Sequence, residues 1–173
     1  MARTELIVDG TNLAWAWTRT RPHLLRQDHA AAQRLLVASA GQSPLRSIYD
    51  LITFVFDGPP PPAGPGSAGA VRVLYPDPGQ SADQRIVELV AQAVHAGVGV
   101  VVATSDRGLQ DLVRLERGSS IGGGALVQKL DPRGTSARDS ASGPGTAEEK
   151  PRPSGRDTEG WLRRFQGDKP GPK

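Results

Sequence analysis

Short apolar runs alternate with helix-spaced apolar stripes along the first 130 residues, and turn signals separate them. TELIV, residues 4–8, is a strand-like run that stops at Asp9-Gly10. Residues 27–40 carry Leu35, Leu36 and many alanines, a helix signal. LITFVF, residues 51–56, is a second β-rich run, and it too ends in Asp-Gly, at Asp57-Gly58. The Pro/Gly stretch that follows fits neither a helix nor an inner strand, because proline brings no N–H to either ladder. VRVLY, residues 71–75, alternates as a strand with one wet face does. From Ser81 the period changes to that of a helix. Ser81 can cap, Gln84 completes a capping box, and Ile86, Leu89, Val90, Ala93 and Val94 make one stripe that Gly97 stops. VGVVVA, residues 98–103, has the valine-rich character of a central parallel strand. After Thr104-Ser105-Asp106, a helix puts Leu109, Leu112 and Val113 on one face and closes at Gly118. A short strand near 119–121 and a last helical turn through Leu126 and Leu130 complete the pattern. Strands alternating with helices predict an α/β fold, a central and mainly parallel sheet covered on both faces.

Beyond residue 130 the pattern breaks. Residues 131–157 hold no apolar side chain larger than alanine or proline, so they cannot bury enough surface to offset the entropy of ordering them. They read as a disordered linker between a domain at 1–130 and a short segment at 158–173. In that segment Trp161, Leu162 and Phe165 return at helical spacing. A docking helix is one reading and an unstructured terminus the other.

Composition narrows the function classes. Zero cysteines exclude disulfides, thiolate zinc sites and thiol nucleophiles. No apolar run is long enough to span a bilayer, and the N-terminal residues lack the apolar core of a signal peptide, so the expectation is a cytoplasmic protein with no membrane partner. The net charge of +3 is spread along the chain and makes no basic tail. Arginine far exceeds lysine, and with abundant Ala, Gly and Pro that bias points to a GC-rich bacterial genome.

Four aspartates carry the chemical argument. Asp9, Asp57 and Asp106 follow predicted parallel strands, and Asp83 sits in the first turn of the helix that Ser81 opens. In open α/β sheets, the carboxyl ends of the strands form the ligand crevice. Each aspartate has an ordinary explanation as well. Asp9 and Asp57 precede glycine as turn residues do, Asp83 suits the helix dipole, and Asp106 can be an N-cap. Together, four like charges in one crevice repel, which a fold tolerates mainly when a cation is expected there. Oxygen ligands without His or Cys point to Mg²⁺ or Mn²⁺, and such ions support in-line phosphoryl displacement.

The strings LIVDGTN, FVFDG, SADQRIVELV and VVATSDRGLQDL, in this order, resemble the bacterial YacP-like NYN domains, a branch of the PIN-like ribonucleases. The resemblance covers roughly residues 4–130 and, loosely, the Trp-Leu-Arg-Arg-Phe end. It implies a PIN-like three-layer α/β/α sandwich and a metal-dependent endoribonuclease, with RNA as partner, free or on the ribosome. Carried over motif by motif, Asp9, Asp57, Asp83 and Asp106 would be the catalytic and metal-binding carboxylates. Asn12 would orient a ligand or a neighbouring carboxylate, and Ser105 matches the small polar residue before the last aspartate. Arg107 could contact a substrate phosphate or simply be solvated. Three positions depart from the family's pattern. Thr11 stands where an aromatic residue is frequent, Gln84 where a second acid is common, and Gly108 where related flap-type nucleases place another aspartate. The last two subtract negative charge and favour one ion over two. They keep a second reading open, that of a non-catalytic RNA- or ribosome-binding module.

The remaining features are less specific. Trp15 and Trp17 cannot share a helical face, so one can be core while the other stacks on a base. His23, His29 and His95 lack ligand spacing, and Gly122-Gly123-Gly124 lacks the context of a phosphate loop.

Overall fold

The computed structural model describes residues 3–62 and 69–131. In chain order its elements are β1 (Thr4–Asp9), α1 (Gly10–Ala16), α2 (Arg21–Leu25), α3 (His29–Gln42), a 3₁₀ turn (Pro44–Ser47), β2 (Leu51–Val55), β3 (Val71–Leu74), α4 (Ala82–His95), β4 (Gly99–Ala103), α5 (Arg107–Leu115), β5 (Ser119–Ile121) and α6 (Gly123–Leu130). The five strands form one sheet in the order β3-β2-β1-β4-β5, and every pairing is parallel. β1 lies between β2 and β4, with Leu6 opposite Ile52 on one side and Val101 on the other.

Strand alternation divides the core into two layers. Leu6, Val8, Ile52, Phe54 and Ala103 pack against side chains of α1, α2, α3 and α6. Ile7, Val55, Val100 and Val102 pack against Ile86, Leu89 and Val90 of α4 and Leu109 and Val113 of α5. Burying an aliphatic side chain of this size contributes about 1.5–3 kcal/mol. The result is the three-layer α/β/α sandwich with a parallel centre that the sequence predicts.

The connections decide where a ligand crevice opens. From β1 to β2 to β3 the chain steps outward in one direction. The crossover through α4 then returns it to the other side of β1, where β4 and β5 continue outward. The carboxyl ends of β1 and β4 therefore flank the switch point, the usual position of the crevice in such sheets.

Ser81 and Gln84 form the predicted capping box at the start of α4. At its end Gly97 takes a φ of 73°, and the N–H groups of Gly97 and Val98 return to the carbonyls of Val94 and Ala93. This is a Schellman stop. Three features differ from the sequence reading. α1 and α2 were not among the predicted elements. α6 begins at Gly123 rather than near Leu126. The left-handed residue that ends α5 is Arg117, at φ 64°, and not the neighbouring Gly118. Asp131, the first residue of the expected linker, caps α6 and pairs with Arg19 at 3.3 Å. The rest of that linker and the 158–173 segment lie outside the described residues. Among the described residues no helix is long and apolar enough to cross a membrane.

Candidate active site

Asp9 closes β1 and caps α1 with the same side chain. Its Oδ1 accepts from the Asn12 N–H at 3.0 Å, and its Oδ2 accepts from the Thr104 hydroxyl at 3.0 Å. Thr104 follows β4, is fully buried, and accepts from the Asp106 N–H at 3.1 Å. Asp106 in turn caps α5, accepting from the Leu109 N–H at 2.9 Å. A continuous hydrogen-bonded path, Asp9 to Thr104 to Asp106, thus bridges the switch point between β1 and β4. Asp106 is an N-cap, as its ordinary explanation has it; Asp9 is also a cap, and not a turn residue.

The electrostatics tie all four aspartates to this edge. Asp9 is only 6% exposed, and burial pushes its carboxyl above the usual carboxylate range. The hydrogen bonds from Asn12 and Thr104 pull it back, while the charges of Asp83 and Asp57 push it up further. Asp83, exposed as a residue but with its carboxyl partly screened from water, is also raised. Desolvation acts most, then the charges of Asp106 and Asp57. These directions follow from the same physics: loss of water and nearby like charge both disfavour the ionised form.

Asp57 is exposed, and its backbone N–H donates to Thr11 Oγ1 at 3.0 Å, which fastens the end of β2 to α1. Neither the Asp57 nor the Asp83 carboxylate accepts a hydrogen bond from a described residue, so each can still turn. As they stand, no three His, Asp or Glu side chains among the described residues are arranged to hold one ion. The donors nonetheless suit a hard cation: all are carboxylate oxygens, and no thiolate or imidazole joins them.

Of the other predicted site residues, two brace the edge. Asn12 Oδ1 accepts from the Ser105 N–H at 3.4 Å, and Ser105 Oγ accepts from the Gly123 N–H at 3.3 Å. These bonds lace α1, the β4–α5 turn and α6 together. Arg107 opens α5, is exposed, and makes no hydrogen bond or ion pair with a described residue. Gln84 spends its Oε1 on the Ser81 N–H at 2.9 Å, which explains a capping amide at that position. At Gly108 a Cβ would lie 3.2 Å from Asp106 Oδ1. The two tryptophans divide: Trp17 is core at 2% exposure, and Trp15 is 45% exposed.

Sequence reasoning gave no site role to Thr104 or to Thr11, which it noted only as a departure from the family pattern; these two hydroxyls hold the aspartate-bearing segments. For Thr104 a signal existed, a threonine between an apolar strand and an N-cap aspartate. Nothing local in the sequence pairs Thr11 with Asp57.

No curated protein sequence matches the chain. The fold is shared with two crystal structures of Rae1 (YacP) from Bacillus subtilis. One is 22% identical, covers 93% of this chain and 91% of that one, and superposes with a TM-score of 0.61. The other, of a point mutant of the same protein, is 20% identical, covers 96% and 85%, and has a TM-score of 0.60. A family model described as the YacP-like NYN domain matches residues 6–154. Because that match spans most of the sequence, the chain belongs to the YacP-like NYN domain family, with its PIN-like, nuclease-type fold.

Proposed function

We propose that the protein is a metal-dependent endoribonuclease that cleaves phosphodiester bonds of RNA at the carboxyl edge of its sheet. The observation that carries this reading is the mutual action of Asp9, Asp57, Asp83 and Asp106 at one crevice. Asp9 and Asp106 are held by their caps, and Asp57 and Asp83 stand free to close on an ion. A bound Mg²⁺ or Mn²⁺ would supply a water of lowered pKa and neutralise charge on the phosphate. Thr104 fixes the spacing of the two capping aspartates, and Asn12 with Ser105 positions the turn that carries Asp106. Arg107, exposed at the start of α5, would be the cation that meets a substrate phosphate.

The test is cleavage of single-stranded and structured RNAs by the full chain in EDTA, Mg²⁺ and Mn²⁺. We expect cleavage only with an ion, and a loss of about a hundredfold or more for Asp106→Asn. Millimolar Mn²⁺ should also raise the melting temperature of the wild type and do so far less for that variant, since an ion bound only by the folded state stabilises it by mass action. Cleavage that persists in EDTA would overturn the reading. Two observations favour a second reading, that of a non-catalytic RNA-binding module: the open arrangement of the carboxylates, and the absence of acids at Gln84 and Gly108. RNA binding without cleavage under any ion would select it.

A further inference from the structure

Beside the aspartate edge lies a cavity of about 320 Å³, lined by Trp15, Gln33, Phe56, Asp57 and Pro61 among others. Its volume is at the lower end for small-ligand sites, and most of its wall is apolar with few polar groups. We propose that it is a subsite for one unpaired nucleobase of single-stranded RNA, stacked on Trp15 and hydrogen-bonded by the Gln33 amide. This deepens the RNA reading of the adjoining edge and rests on it.

Three observations converge. Trp15 is a large apolar side chain left 45% exposed, at the far end of the short helix that Asp9 caps. Its backbone is held in place, because Arg21 Nε and Nη2 donate to the Trp15 carbonyl at 3.2 and 3.1 Å. Exposed aromatic faces on a fixed backbone are what single-strand binders use as stacking platforms. Gln33 is the second observation. It is only 8% exposed, and its Oε1 accepts from the Tyr75 hydroxyl at 2.8 Å. That bond fixes the amide, and Nε2 is left without a hydrogen-bond partner among the described residues while the side chain lines the cavity. Among the described residues Arg85 Nε is the one buried side-chain polar atom without a partner, so Gln33 Nε2 is a donor that solvent reaches and that is open to what enters the cavity. An N–H donor here fits a ring nitrogen or carbonyl on a base edge. The third is position: Asp57 belongs to the cavity wall and to the aspartate edge alike, so a base in the cavity brings its strand to the carboxylates. Stacked bases within a duplex offer no face to Trp15, which makes the preferred RNA single-stranded.

The experiment measures binding of a labelled single-stranded hexaribonucleotide, and of a duplex of the same length, to the full chain in EDTA. Trp15→Ala should weaken single-strand binding roughly tenfold or more, the range of stacking losses on alanine substitution. Trp15→Phe should recover most of the affinity. Gln33→Leu should weaken binding less and narrow the differences among homopolymers of the four bases. Duplex binding should change little with any of them. In the wild type, the indole N–H resonance of Trp15 should shift on adding the hexamer, while that of buried Trp17 should not. Unchanged single-strand affinity in Trp15→Ala, with circular dichroism showing an intact fold, would overturn the subsite. Its fate is separable from that of the nuclease reading. Trp15-dependent binding by a protein that never cleaves would keep the subsite alone. Ion-dependent cleavage indifferent to Trp15→Ala would keep the nuclease alone.

Discussion

Adjacent parallel strands β1 and β2 run out into the same dipeptide, Asp9-Gly10 at the end of β1 and Asp57-Gly58 just past the end of β2, and the two pairs do opposite work. Asp9 is buried, with both carboxylate oxygens hydrogen-bonded. Asp57 is exposed, and its carboxylate takes no hydrogen bond from a described residue. Their glycines differ for equally distinct reasons. A Cβ on Gly10 would stand 2.5 Å from Phe56 Cε1, so the position needs an absence of atoms. Gly58 has open space around it but a φ of 80°, so it needs an absence of steric restriction on the backbone. A motif shared letter by letter therefore does not share a role. At β1 it builds the crevice, and at β2 it leaves a carboxylate free to meet what enters.

Alanine at each glycine is the strongest way to break that contrast. Phe56 is 2% exposed and stacks on Phe54 at 5.9 Å between ring centres, so its ring can retreat only by disturbing that stack or filling the cavity it lines. Gly10→Ala should cost about 3 kcal/mol, at the upper end for overpacking. Gly58→Ala pays only the left-handed backbone penalty, about 1–2 kcal/mol. Urea midpoints of the two variants report the difference, and equal losses would show that the Phe56 ring can yield.

The aspartates give the next largest effect. Asp9→Ala removes a helix cap and leaves the buried Thr104 hydroxyl without its acceptor, a loss of about 1–2 kcal/mol near pH 4. Asp57→Ala should stay within about 0.5 kcal/mol. The pH dependence sharpens the contrast, and its sign follows from the raised carboxyl of Asp9. The folded protein holds a proton that the unfolded chain has already released, so the stability Asp9 contributes is fully present below the ordinary value of 3.8. It is lost as pH rises through the folded value. Asp9→Asn keeps a capping oxygen and removes the titration. Wild-type melting temperature should therefore fall relative to Asp9→Asn as pH is raised from about 4 towards 7 without added metal. A constant offset across that range would mean that burial costs the Asp9 charge nothing.

The sheet and the α4 and α5 layer were legible because their patterns are local and redundant. VGVVVA can hardly be other than a central strand, and Ser81, Gln84 and Gly97 mark both ends of α4. α1 was not legible. GTNLAWA opens on Gly-Thr-Asn, has no acid in its first turn, and is seven residues long. Residues of that kind have weak helix propensity, and so short a helix is held by its tertiary contacts. Asp9 as cap and the burial of Leu13, Ala14 and Trp17 supply them. The aspartates could be picked out because each sits in a strand-end or first-turn motif. Which of them is buried could not, because that depends on β1 being central and β2 lying nearer the edge. The partnership of Gln33 with Tyr75 joins residues 42 positions apart and leaves no mark on either local pattern.

The two reasons for glycine meet again at adjacent positions, where the sequence has supplied only one. At the end of α5, Arg117 holds φ 64° in a Schellman stop, its N–H returning to the Arg114 carbonyl and that of Gly118 to Val113. Gly118 is where space runs out, since a Cβ there would come within 2.9 Å of Val113 Cγ1 and Val90 Cγ1. So the glycine serves packing, and the residue that bears the backbone strain is an arginine. Arg117→Gly should relieve about 1–2 kcal/mol of left-handed strain, of which about 0.4–1 kcal/mol returns as entropy gained by the unfolded chain. A net gain of about 0.8 kcal/mol remains, near 2 °C in melting temperature for a chain of this size. Arg117→Ala is the control that isolates the backbone, because it removes the same side chain and keeps the strain. Glycine more stable than alanine, with alanine close to wild type, is the expected order. Alanine and glycine equally stable would place the cost of this turn in the arginine side chain and not in its φ.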